Sequence, residues 1–336
     1  MDDYLEFLNF IVMKRKKMRL LFRLVCIVFV TSVMLVGAVS CNKTPEIPTD
    51  ETKEKNHEDP HRAELILVEG HLHGKYAFHQ DPEVEGVKHL KKIQKMIFEL
   101  SEKGWGISDK GVSKFCVRST SPEFKGQQVY GLWINYYNAK GELINGEFMQ
   151  NGQDLIHQHF FIPKNLRPTF DGDNTAVDSD PVSIYKYVYC DTDPWNKNMH
   201  NEGATLIGDK NPVGFKGYFM FLKERKNFDI SVELMHAVIS KFSENGIVSP
   251  FYLPSKAQRQ RDHWDLKIKV PVTVYAGQME TVDVVPGTSE ADIPEKDMRL
   301  LKSIASAYGI TWQEALEDID AMVMGDQDPE SGNMWF

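Results

Sequence analysis

Alternation of apolar and polar positions dominates the chain between residues 112 and 277, and it predicts a mainly β domain. It is clearest in His263–Tyr275, where Trp264, Leu266, Ile268 and Val270 share one face and Asp265, Lys267 and Lys269 the other. Val129–Asn138 reads as a strand that turns at Ala139-Lys140-Gly141 and returns from Glu142 as a hairpin. Glu64–Glu69, Leu155–Ile162, Ile184–Cys190 and Gly217–Leu222 read as further strands. Asp229–Phe242 reads as a long strand paired with the preceding one across Lys223–Asn227. Many short strands joined by polar turns predict an antiparallel sandwich or barrel. Trp133, Tyr136, Tyr185, Tyr187, Tyr218 and Phe219 fall in strand-like runs and are expected in the core or on sheet faces.

Helical spacing appears twice. Val87, Leu90, Ile93, Ile97 and Leu100 predict one early amphipathic helix stopped at Gly104. Met298, Leu301, Ile304, Ala305 and Tyr308 predict a helix ended by Gly309. Thr311-Trp312-Gln313-Glu314 then reads as a capping box that starts a second helix through Leu316, Ile319 and Val323. The C-terminal part, residues 286–336, is therefore expected to be a helical hairpin.

The N-terminus sets an address. Met13-Lys14-Arg15-Lys16-Lys17-Met18-Arg19 is basic, Leu24–Ser40 carries no charge, and Ala38-Val39-Ser40 places small residues before Cys41. This resembles the signal of bacterial lipoproteins, in which residues 1–40 would be removed and Cys41 lipidated. A residue other than Leu three positions before the Cys departs from the family pattern. The alternative is a single membrane span, for which the apolar run is short. Residues 41–62 hold Pro, Thr, Glu, Lys and Asp without an aromatic, which predicts a flexible tether ahead of a β-rich ectodomain over 63–285. In general architecture the mature part resembles the envelope lipoproteins of Bacteroidota. That resemblance implies an outer-membrane setting, facing the periplasm or the surface, with a nutrient importer as a candidate partner, and carries no residue assignments.

Charge narrows the partners. The formal net charge is −9, and the signal removes several basic residues, so nucleic acid is a poor partner. Of four cysteines, Cys26 leaves with the signal and Cys41 carries lipid; Cys116 and Cys190 remain as a candidate disulfide in an oxidising compartment, or as two buried thiols.

Histidine spacing carries the candidate chemistry. His71 and His73 in Gly70-His71-Leu72-His73-Gly74, and His157 and His159 in His157-Gln158-His159, both form His-x-His. Two residues apart in a strand face one side, so each pair can present both imidazoles to one ion. His236 lies in an apolar strand and His79 follows the first pair, as further candidate ligands. Neutral imidazole suits zinc, copper or iron. The bland alternative is a solvated strand face and a hydrogen-bonded core histidine. His57-Glu58-Asp59-Pro60-His61 matches His-Glu-x-x-His, but Pro60 would break the helix that motif needs, so the match reads as accidental. Asp171, Asp173, Asp178 and Asp180 form a weak calcium candidate against a solvated-turn reading. Gly-x-Ser-x-Gly, phosphate-cradling and Cys-x-x-Cys strings are absent.

The leading expectation is a lipid-anchored envelope protein whose ectodomain binds a transition metal, or a metal-containing ligand such as haem, through His71, His73, His157, His159 and His236. The rival is a glycan- or protein-binding module with structural histidines and Trp133, Trp195 and Trp264 as a stacking platform. A metal-dependent hydrolase comes third, since it needs an open coordination position and a general base. The metal reading requires the histidine pairs to converge.

Overall fold

A computed structural model describes residues 56–120, 128–168, 180–275, 282–325 and 328–336. The signal segment, Cys41 and three of the four calcium candidates, Asp171, Asp173 and Asp178, lie outside them. The mainly β expectation holds: thirteen strands are described, most of them in two sheets.

The larger sheet contains β1 (Arg62–Gly74), β2 (Ala77–Gln80), β3 (Ile93–Ser101), β4 (Gly104–Ile107), β6 (Val129–Tyr137), β8 (Tyr185–Tyr189) and β11 (Lys216–Phe221), in the order β4-β3-β1-β6-β11-β8 with β2 on the end of β1. The smaller sheet has the order β5-β13-β12-β7, from β5 (Phe115–Arg118), β7 (His157–Pro168), β12 (Lys226–His236) and β13 (His263–Tyr275). All its pairings are antiparallel except β5 with β13. A two-stranded ribbon joins β9 (Thr192–Asp193) to β10 (Thr205–Leu206).

The core lies between the sheets because period-2 burial aims one side of each at the other. Leu65 and Leu67 of β1 with Leu132, Ile134 and Tyr136 of β6 join Phe161 of β7, Val232 and Leu234 of β12, and Leu266 and Ile268 of β13 in one buried cluster. Tyr185, Tyr187 and Phe219 belong to it as expected. Trp133 and Tyr218 lie instead on the opposite face of the large sheet, with Val68, Phe78 and the C-terminal Phe336. After Leu222 the chain crosses from one sheet to the other, so β12 pairs with β7 and β13 and not with β11 as the sequence suggested.

The C-terminal hairpin is present as α2 (Glu295–Tyr308) and α3 (Trp312–Met324), following the short α1 (Lys256–Arg261). Gly309 closes α2 in the left-handed region, and Thr311 with Glu314 forms the expected capping box on α3. Leu301, Ile304, Leu316 and Ile319 pack with Leu90, Cys116 and Tyr275. Burial of each such side chain stabilises by roughly 1.5–3 kcal/mol.

Four further expectations are corrected. The early helix is a strand, β3: Gln94, Met96 and Phe98 are its buried face, and polar Gln94 disguises the alternation. Gln94 belongs there because its amide bonds both backbone groups of Cys116, with distances of 2.7 and 2.9 Å. The turn after β6 returns through a single bridge, Tyr137 with Leu143, before 3₁₀ turns take over. Cys116 and Cys190 are free buried thiols in different apolar clusters, so no disulfide joins them. The tether reading extends too far, since His57 is already buried.

Candidate metal centres

The two His-x-His pairs do not converge on one point. Each meets other residues, giving two separate clusters of possible ligands, His57/His157/His236/Asp265 and His71/His73/His79/Glu330.

The first cluster sits at one end of the smaller sheet. His157 opens β7, His236 closes β12, and the two are paired across the strands with both rings on the core side. Asp265 arrives by an irregularity. In β13, Leu266 pairs with Leu234 and Trp264 with Met235, so Asp265 is an extra residue, a β-bulge. Plain alternation would put it with Lys267 and Lys269 on the solvated face; the bulge turns its carboxylate inward and Trp264, expected on the Leu266 face, outward onto Phe160 and Met235. His57, just ahead of β1, inserts from the N-terminal side against Phe148, with ring centroids 4.3 Å apart. Side chains of His57, His157 and Asp265 are at most 1% exposed, and that of His236 is 13% exposed.

The geometry is that of a small polyhedron. His57 Nε2 is 3.2 Å from both His157 Nε2 and His236 Nδ1. Asp265 Oδ2 is 3.4, 3.3 and 3.4 Å from the nitrogens of His57, His157 and His236. These five edges average about 3.3 Å, and the sixth, between His157 and His236, is within 4.8 Å. A regular tetrahedron with an edge of about 3.3 Å has its centre about 2.0 Å from each vertex, against Zn–N of about 2.0–2.1 Å and Zn–O of about 2.0–2.2 Å.

Hydrogen bonds assign the tautomers. His157 Nδ1–H donates to the Gln153 carbonyl (2.8 Å) and His57 Nδ1–H to the Glu58 carbonyl (3.1 Å). Neutral rings held this way turn two bare Nε2 lone pairs toward each other beside a carboxylate. Only positive charge at the centre relieves that repulsion. A proton serves one pair, whereas a metal ion serves all four groups. Backbone carbonyls behind the rings are also the usual outer support of ligating histidines.

Electrostatics agree. Burial lowers the His157 pKa below its ordinary 6.5, against the opposing pull of Asp265, and so favours the neutral imidazole a metal needs. Burial would raise the Asp265 pKa, but the surrounding imidazoles of His157, His236 and His57 outweigh it, and the carboxyl is held far below its usual range. Lys241, nearly fully buried, donates to the His157 and Pro212 carbonyls, and burial brings its pKa down to about 7.

His159 is not a ligand. It faces the same interior two residues further on, but its Nδ1–H donates to the Val213 carbonyl (2.7 Å) and its Nε2 accepts from the Tyr136 hydroxyl (2.6 Å). Burial pushes its pKa down to about 3. It is the hydrogen-bonded core histidine of the bland reading.

The second cluster lies at the far end of β1. His71 and His73 share a face, and His79 of β2 is paired opposite His71. Gly70 permits the close approach of β2, since a Cβ there would lie 2.0 Å from the His79 carbonyl oxygen. His73 Nε2 is 3.1 Å from His71 Nε2 and 3.4 Å from His79 Nδ1, and Glu330 oxygens stand 3.5–3.8 Å from the three rings. His71 Nδ1–H donates to Asp81 (2.8 Å) and His79 Nε2–H to the Gly332 carbonyl (2.8 Å). Trp335 stacks on His79 at 3.9 Å.

The sequence missed His57, Asp265 and Glu330. His57 stood in the dismissed His-Glu-x-x-His string, and the dismissal of that string as a helix holds, for the segment is irregular and His61 is exposed. Asp180 caps its own turn, accepting from the Val182 N–H at 3.2 Å. The three tryptophans do not share a platform: Trp133 and Trp195 are neighbours at 6.4 Å, whereas Trp264 packs on Phe160 of the other sheet. No protein-family model, curated protein or solved structure matches the chain.

Proposed function

We propose that this is a transition-metal-binding protein, with His57, His157, His236 and Asp265 as its principal site. The observation that carries the reading is the enclosed four-atom set of three imidazole nitrogens and one carboxylate oxygen, with five of its six edges at 3.2–3.4 Å. Three nitrogens and one oxygen at that radius suit zinc, with copper and iron as competitors. A bare ion is favoured over haem, because four ligand atoms around one point leave no plane for a porphyrin. Four protein ligands also complete a tetrahedron without water, which favours holding an ion over the hydrolysis that needs an open position. Together with the lipoprotein-like signal ending at Cys41, the reading is of an ion-holding protein tethered to the cell envelope at the outer membrane. Cofactor and address thus rest on different parts of the chain.

A glycan-binding reading keeps one observation in its favour. A groove of about 330 Å³ is lined by Trp133, Trp335, Gln80, Asn196, Asn198 and Asn333, an indole-and-amide surface suited to sugars. It lies apart from the principal site, so both activities are compatible.

The test is metal content by mass spectrometry of the purified protein beside a His157→Ala variant. We expect zinc, copper or iron in the wild type and one ion fewer in the variant. A wild type that is metal-free and takes up no added ion would sink the proposal.

A further inference from the structure

We propose that His71, His73, His79 and Glu330 form a second, exchangeable transition-metal site closed by the C-terminal tail, so that ion binding and tail docking strengthen each other. This inference uses none of the ligands of the principal site and stands or falls separately.

Three of its groups come from one β-corner. His71 and His79 are cross-strand partners and His73 is two residues on, which brings three imidazole nitrogens within 4.8 Å of one another. His71 is oriented by Asp81 and His79 by the Gly332 carbonyl, leaving His71 Nε2 and His79 Nδ1 as lone pairs facing His73. A carboxylate behind one ring and a carbonyl behind another are the outer partners that ligating histidines use.

The fourth group is delivered by the tail. Glu330 is 63% exposed on its side chain and its oxygens lie slightly outside bonding geometry, so it is the ligand most easily displaced. The tail then runs along β2: Gln80 N–H donates to the Met334 carbonyl (2.9 Å), Phe336 N–H donates to the Phe78 carbonyl (3.1 Å), and Trp335 covers His79. An ion that binds Glu330 and fixes the His79 tautomer reinforces two tail contacts at once. By reciprocity a docked tail raises affinity for the ion. The half-exposed His73 leaves the site open to solvent, unlike the enclosed principal site, and this predicts faster exchange.

The experiment uses the full-length protein and zinc. Zinc is counted by competition with a chromogenic chelator, and hydrogen exchange is followed in residues 328–336 with and without zinc. The wild type should hold two ions, one released quickly and one slowly, and zinc should slow exchange in the tail. His73→Ala should lose the fast ion and the zinc effect on the tail while keeping the slow ion. Glu330→Gln, at an exposed position that should not disturb folding, should weaken the fast site by at least about tenfold. A single ion that vanishes in His157→Ala but survives in His73→Ala overturns this inference and leaves the principal site standing. A single ion with the opposite pattern does the reverse. Two ions with tail exchange indifferent to zinc overturn the coupling.

Discussion

Substituting Asp265→Asn tests the principal site without removing volume. With five edges of 3.2–3.4 Å, tetrahedral coordination puts the centre about 2.0 Å from each ligand atom. Calcium, at about 2.3–2.6 Å, would need edges of about 3.8–4.2 Å in the same arrangement, and prefers more oxygens. Zinc should therefore stabilise the fold and calcium should not. An ion that binds only the folded state at about 100 times its Kd contributes about 2.7 kcal/mol. For a domain of this size about 2 °C accompanies each kcal/mol, so zinc should raise Tm by roughly 5 °C. The measurement belongs in a His73→Ala background, where the second cluster is disabled. Asp265→Asn removes the one anionic ligand while keeping its shape, and should abolish most of the zinc shift. X-ray absorption at the zinc edge should show four light ligands near 2.0 Å. An equal shift with calcium, an undiminished shift in Asp265→Asn, or six ligands at longer distance would refute the tetrahedral assignment.

Two further outcomes follow from burial. His159 keeps a folded pKa of about 3 against an ordinary 6.5, so its contribution is complete above pH 6.5 and is lost as pH falls, at about 1.4 kcal/mol per unit. In chelator-treated protein His159→Leu should flatten the fall in urea-unfolding stability between pH 6.5 and 5 by about 2 kcal/mol, and an unchanged slope would contradict it. Buried Asp318 accepts from the N–H groups of Lys88, His89 and Leu90 at 2.9, 2.5 and 2.9 Å, tying α3 to the segment before β3. Asp318→Ala should cost about 3 kcal/mol by urea midpoint, and a loss below about 1 kcal/mol would show that water replaces those bonds.

Strand content and the C-terminal hairpin were legible because each has a local signature: alternation in β13, and the capping box and Gly309 in α2–α3. What failed was long-range or depended on one polar residue. Gln94 in the middle of an inward face left helical spacing as the simpler reading of β3, because its partner, the backbone of Cys116, lies 22 residues away. The exchange of sheets after Leu222 has no local mark at all. Pairing rules favour neighbours in sequence, and the neighbour was the wrong partner.

At the candidate sites the residue type was legible and the grouping was not. His-x-His spacing found His71, His73 and His157, yet the same rule admitted His159, since period-2 geometry gives a common face and not a common partner. Val213 and Tyr136 decide its role, and neither is near it in sequence. Asp265 shows the opposite failure. Regular alternation assigns it to the Lys267 and Lys269 face, and one inserted residue in the pairing of β13 with β12 reverses the faces of Asp265 and of Trp264 beside it. A bulge of this kind disrupts the ladder locally, so its position beside three converging imidazoles is itself an argument for the site. The strand gives up regular pairing at the one place where a carboxylate must turn inward. Without positive charge among those rings, burying it there would be costly.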